Sequence, residues 1–223
     1  MKLSAILLAR TLWFVESFDL NPQGKAFYPD IVAGIVEKCR FSKFPQKLED
    51  FDEEKGVEFL GGRWGDVTVE VMKVFRNGIM LDTRVSTVES DRILGEALSW
   101  AASTFNLEYN LKMIVRRAYV SNLTFYTEVP ILGRQDSPAS KLAQRTKQIF
   151  GDITGDKTPW QPILLTVHSE SMPRKPIHAP FTIQRRAETA FSENKYYSEA
   201  PLPTDAHLAL LEGFEADVMV SGT

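Results

Sequence analysis

The residues able to do chemistry are few: three histidines, one cysteine and several paired arginines. His168-Ser169-Glu170-Ser171 follows an apolar run, and a histidine beside serines at a strand end is a pattern that hydrolysis uses. A nucleophile needs a base within hydrogen-bond reach and a third group to orient that base. His168 and His178 with Ser169 or Ser171 supply those residue types, which defines a hydrolase or nuclease reading. No G-x-S-x-G elbow accompanies them, so a polar strand exit explains the same residues more simply. His207 falls in the first turn of a final helix. The helix dipole disfavours its protonation there, so a surface or packing role is expected.

Metal chemistry finds little support. One Cys and three scattered His give no paired zinc spacing. Asp82, Glu89 and Asp91 are the carboxylates for a magnesium site, but strand exposure and helix capping account for them. The acidic stretch Glu49, Asp50, Asp52, Glu53, Glu54 reads as a solvated loop, and FDEEKG lacks the spacing of a calcium loop. Gly61-Gly62-Arg63-Trp64-Gly65 matches neither phosphate-binding glycine pattern and is expected to be a turn, bulge or flexible link. No cofactor is expected.

Single-stranded RNA binding draws on basic groups for phosphates and aromatic rings for bases. Arg116, Arg117, Tyr119, Arg185, Arg186, Tyr196 and Tyr197 are the residues for that role, with Lys112, Arg174, Lys175, Phe125 and Tyr126 nearby in sequence. The RNP1 pattern is absent, and the net charge of −3 opposes general polyanion binding. The same Arg and Tyr positions equally suit a protein interface, where Tyr, Trp and Arg concentrate binding energy. Phe191 and Pro201 join Tyr196 and Tyr197 there.

These residues must be placed by secondary structure, and the clearest stretch runs from Asp66 to Phe105. Val67, Val69, Val71, Val74 and Phe75 read as a strand. Asn77-Gly78 then signals a type I′ hairpin turn, and residues 79–85 return as the partner strand. Ser86 and Glu89 have capping-box spacing, and Ser90 is a competing cap one turn later. Ile93, Leu94, Ala97, Leu98, Ala101 and Phe105 form the apolar stripe of a helix over 88–105.

Before this stretch, residues 3–18 read as a strand covered on both faces. Arg10 interrupts the apolar run that a signal peptide needs. After the turn at residues 21–24, Phe27, Ile31, Val32, Ile35, Val36 and Cys39 mark a helix, with Pro29 in its first turn. Val57 to Leu60 form a short strand or lead into the next. Later, residues 111–127 alternate as a strand, and Ser137-Pro138 opens a helix with a basic face. Residues 163–167 read as a buried strand and 181–185 as another. Thr204 caps a last helix with Leu208, Leu211 and Phe214 inward.

The fold expected is α+β: an antiparallel sheet with a βαββαβ core, the ferredoxin-like order, and a C-terminal α/β extension. The core spans 1–133. Residues 134–223 pack on or extend the same sheet, because their apolar content is thin for an independent core. Hydrophobic content of 43% suffices for a core. The single Cys39 excludes an intramolecular disulfide and favours a reducing compartment, so a cytoplasmic protein is expected. No apolar run reaches the ~20 residues of a membrane span. That topology hosts unrelated functions. The function expected is non-catalytic binding or assembly, with a second copy or another protein subunit as partner and no membrane. RNA binding is the first alternative, and hydrolysis through His168 and His178 the second.

Overall fold

The computed structural model describes residues 1–24, 26–134, 137–170 and 179–220. Ser171, Arg174, Lys175 and His178 lie outside the described residues. Among the described residues the protein is mixed α/β, with five helices and eight strands, and every described register is antiparallel. The chain divides into two compact units. The first holds Ile6–Ser121 and Leu202–Asp205, and the second holds Met1–Ala5, Asn122–Pro201 and Ala206–Thr223.

The first unit contains most of β1 (Lys2–Phe14), then α1 (Ser17–Leu20), α2 (Tyr28–Cys39), β2 (Val57–Trp64), β3 (Val67–Phe75), β4 (Gly78–Thr83), α3 (Thr87–Phe105) and the start of β5 (Arg116–Tyr126). Its strand order is β2-β3-β4-β1-β5. Three strands therefore stand between α2 and α3, one more than the expected pair. Gly61-Gly62-Arg63-Trp64 is not a link but the end of β2, with Gly62 opposite Val69 and Trp64 opposite Val67. A side chain on Gly62 would meet the Phe41 ring at 2.4 Å. The glycine is there to admit that ring, not to bend the chain. The first strand also stops early, at Phe14, and residues 17–20 turn into a short helix.

The Asn-Gly hairpin exists, but not by the expected mechanism. Phe75 pairs with Gly78, so Arg76 and Asn77 are the turn residues. None of Arg76, Asn77 and Gly78 has positive φ, so the turn is not type I′. A Cβ on Gly78 would lie 2.8 Å from the Trp13 carbonyl oxygen. Glycine is needed for the close approach of β1, whose Trp13 pairs with Ile79.

α3 starts where its cap predicts: the Ser86 hydroxyl accepts from the Glu89 amide at 3.1 Å. The reciprocal half of the capping box is replaced, because the Glu89 carboxylate takes Arg92 instead, at 2.9 and 2.8 Å. Thr87 and Thr204 each donate a backbone N–H to the other's hydroxyl, at 3.0 and 2.9 Å. Trp13, Phe59, Leu81, Ile93 and Leu94 are fully buried in the core of this unit.

The second unit carries α4 (Pro138–Thr154), β6 (Leu164–Val167), β7 (Phe181–Arg185), β8 (Lys195–Ala200) and all but the first two residues of α5 (Thr204–Val220). Ser137 caps α4 as expected, accepting from Ser140 at 3.1 Å. Two expectations change here. β6 is the outermost strand of its order, so Leu164 and Val167 are exposed rather than buried. The inward face of α5 is His207, Leu211 and Glu215, not Leu208. Polar residues at that helical spacing hide an inward stripe from a reading of apolar periodicity alone.

Candidate functional site: an apolar cavity

The first unit contains a cavity of about 490 Å3, within the ~300–1,000 Å3 usual for small-molecule pockets. α2 supplies Tyr28, Ile31, Ile35 and Cys39. α3 supplies Leu94, Ala97, Leu98, Trp100 and Ala101, and the strands supply Trp64, Met72, Val74 and Ile79. The wall is overwhelmingly apolar. The amphipathic stripes of the two helices put it there, because Ile31/Ile35 and Leu94/Ala97/Leu98/Ala101 recur at helical spacing. The small side chains Ala97 and Ala101 leave space that larger ones would fill.

Polar groups gather at one part of the lining: Glu16, Ser17 and Asn21 after β1, Glu53 before β2, and Arg76 in the β3–β4 turn. Backbone bonds tie these segments together. Ser17 N–H donates to the Arg76 carbonyl at 2.7 Å, and Arg76 N–H donates to the Glu53 carbonyl at 3.1 Å. Trp64 and Trp100 meet edge to face at 6.3 Å. The Lys38 ammonium lies 5.4 and 5.8 Å from their ring centres. Trp64 Nε1 donates to Glu96 at 2.8 Å. That bond and Arg92 hold the Glu96 carboxyl below the usual carboxylate range.

Two titratable groups in the apolar part of the wall, Cys39 and Tyr28, are held in their neutral forms. Burial pushes the Cys39 thiol up to about 11, against a smaller opposite pull from Lys38. Burial, with help from the Glu53 charge, pushes the Tyr28 phenol up to about 12. A thiol held in its protonated form is a poor nucleophile at neutral pH. The apolar wall suits contact with an apolar molecule.

The sequence-predicted residues are not gathered at the cavity. Arg116 stacks over Phe14 at 4.0 Å and Arg117 over Trp13 at 4.4 Å. Asp91 ties this region together. It accepts from Trp13 Nε1 at 2.6 Å and Tyr119 Oη at 2.8 Å, and lies 3.5 Å from Arg117. Tyr119 thus spends its hydroxyl on an internal bond, and burial first, then Asp91, raises its pKa.

In the second unit Arg185 and Tyr196 are buried. Arg185 donates to Tyr196 Oη at 3.0 Å and to the Phe191 carbonyl, and its guanidinium lies 4.8 Å from the Phe191 ring centre. Tyr196 stacks on Phe125 at 5.7 Å. Arg186 is exposed. Tyr197 is half-buried and donates to Glu199 at 3.0 Å. Burial and then that bond push the Tyr197 phenol up to about 12.

The three magnesium carboxylates have separate partners: Arg10 clasps buried Asp82 with two bonds of 2.7 Å, Arg92 takes Glu89, and Asp91 is spent as above. Asp82 is thus an ion-pair residue rather than an exposed strand charge. No cluster of metal-ligand type occurs among the described residues. His168 is exposed. His207 is fully buried, 2.8 Å from Ser198 Oγ, and Ser198 donates to the Thr182 carbonyl at 2.6 Å. His207 is therefore a core residue and not a surface one. No helix among the described residues is long and apolar enough to cross a membrane.

The cavity residues were visible only as core positions. Every wall residue on α2 and α3 belongs to an apolar stripe or its margin, and a stripe does not reveal whether its volume is filled. The one sequence signal is the pair Ala97 and Ala101 on the inward face, with bulky Trp100 beside them. Comparison with models of protein families, with curated proteins and with solved structures finds no match.

Proposed function

We propose that the chain is a non-catalytic binding protein whose first unit holds an apolar small molecule. The observation that carries this reading is the cavity of about 490 Å3 with its nearly continuous apolar wall. An apolar molecule entering it gains about 0.8 kcal/mol per buried methylene. Affinity should therefore rise ~4-fold per added carbon until the space is full. Cys39 and Tyr28 in the apolar part of the wall are both held protonated, which keeps charge out of it and fits an apolar ligand.

The test is a titration with straight-chain alcohols of increasing length below their micellar concentrations, read by emission of Trp64 and Trp100. Ala97→Phe fills the space from the α3 side. The expected results are a length-dependent affinity and at least a tenfold loss in Ala97→Phe. Circular dichroism checks that the variant folds, and Ile35→Phe serves as a second filling variant. Unchanged affinity in a folded filling variant removes the proposal.

A second reading is protein association. It is favoured by the exposed Leu142, Ile149 and Ile153 of α4, which share one helical stripe. Sedimentation at rising concentration tests it: self-association abolished by Leu142→Ser with Ile149→Ser supports it, and a concentration-independent monomer opposes it. In fold terms we read the first unit as a ferredoxin-like core of β1, α2, β3, β4, α3 and β5, with β2 added beside β3. The order β3-β4-β1-β5 supports this.

A further inference from the structure

The polar part of the cavity lining has a sign. Glu16 is exposed at the start of α1, where its side chain makes no capping bond. Glu53 is half-buried, and among the described residues its carboxylate meets one weak donor, Ser17 Oγ at 3.5 Å. The one cation among the described lining residues, Arg76, is drawn to Glu54, with Nη1 at 2.9 Å from Oε1, and Glu54 is not part of the lining. Two acidic residues therefore line this part of the cavity, while the one cation among the described lining residues is paired outside it. Asn21 adds no charge, and its side-chain amide is engaged with Ala26.

On the reading that the cavity holds an apolar molecule, we infer that its ligand is a long-chain amine: an alkyl chain for the apolar wall and a cationic head for Glu16 and Glu53. An alkylammonium head presents up to three N–H donors to acceptors that the described residues leave largely unused. A carboxylate head of the same length meets two like charges at the same place. Opposite-charge contacts at a solvated mouth are modest, so the discrimination is severalfold rather than absolute. It weakens with salt, because the carboxylates are partly exposed.

Dodecylamine, dodecanol and dodecanoate have equal chain lengths and differ in the head. Each is titrated near pH 7 with tryptophan emission as readout, in the full chain and in Glu16→Gln, Glu53→Gln and the double variant. The inference predicts affinity in the order amine, alcohol, carboxylate, with about fivefold or more between the first and last. The double variant should lose that order. Raising the salt tenfold should narrow the gap in the native protein only. Dodecanoate binding as tightly as dodecylamine overturns the inference and leaves the cavity reading intact. So does an amine preference that persists in the double variant. Failure of all three probes to bind overturns both.

Discussion

Asp91→Ala should be among the costliest changes at any half-buried position of the first unit. Asp91 is a single carboxylate serving three groups: Trp13 Nε1 at 2.6 Å, Tyr119 Oη at 2.8 Å and Arg117 at 3.5 Å. The indole N–H has no other partner among the described bonds, and Trp13 is only 2% exposed. Stranding that donor costs about 1–3 kcal/mol. Tyr119 is half-exposed, so water replaces most of its bond and the loss there is about 0.5–1 kcal/mol. Arg117 is a surface ion pair worth under ~1 kcal/mol. The total expected for Asp91→Ala is about 2–4 kcal/mol. Asp91→Asn keeps one acceptor for Trp13 and should cost about half as much. Tyr119→Phe should cost no more than ~1 kcal/mol. Urea unfolding followed by far-ultraviolet circular dichroism measures all three. The reasoning is refuted if Asp91→Ala falls within ~0.5 kcal/mol of the native protein, or if Tyr119→Phe is the costlier change.

The β3–β4 turn gives a paired prediction. Gly78→Ala should destabilise by about 1–3 kcal/mol through its clash with the Trp13 carbonyl. Asn77→Ala should stay within ~0.5 kcal/mol, because Asn77 does not occupy the left-handed region. The reverse order in denaturation would restore the type I′ explanation. At high pH the cavity wall should lose stability. Cys39 and Tyr28 have folded-state pKa values raised to about 11 and about 12 from 9.0 and 10.0. Their contribution is therefore full below about pH 9 and declines as pH rises toward 12. Cys39→Ala should shift the onset of that decline upward, to the Tyr28 range, in unfolding midpoints measured across pH. Bound dodecanol should slow maleimide labelling of Cys39, which lines the cavity; equal rates with and without it would count against occupancy there.

Local signals carried far into this fold. Ser137 with Pro138 located one helix start to the residue, and Ser86 with Glu89 placed another within one residue, because caps act over three or four positions of sequence. Val67 to Phe75 alternated and became β3. What failed was whatever depends on neighbours distant in sequence. Asn77-Gly78 marked a hairpin, but only the arrival of Trp13 from β1 explains why the second residue is glycine. Gly61-Gly62 looked like a link because the Phe41 ring that fills Gly62's missing side chain is some twenty residues away in sequence. β6 looked buried from Ile163 to Val167, yet the outermost position in the strand order leaves it exposed. The same limit hid the candidate site. Ile35, Leu98 and Ala101 were legible as inward-facing, while the unfilled space between them belongs to no single element. Arg185 and Tyr196 were legible as chemistry-bearing types, but their burial against Phe125 and Phe191 follows from tertiary packing.

The most direct measurement is a set of intermolecular nuclear Overhauser effects between isotope-labelled protein and unlabelled dodecanol. Transfer is expected to the methyl groups of Ile35, Leu94 and Leu98 inside the cavity, reduced in Ala97→Phe. Transfer confined to Leu142, Ile149 and Ile153 on α4, with none to the cavity methyls, would contradict the cavity reading.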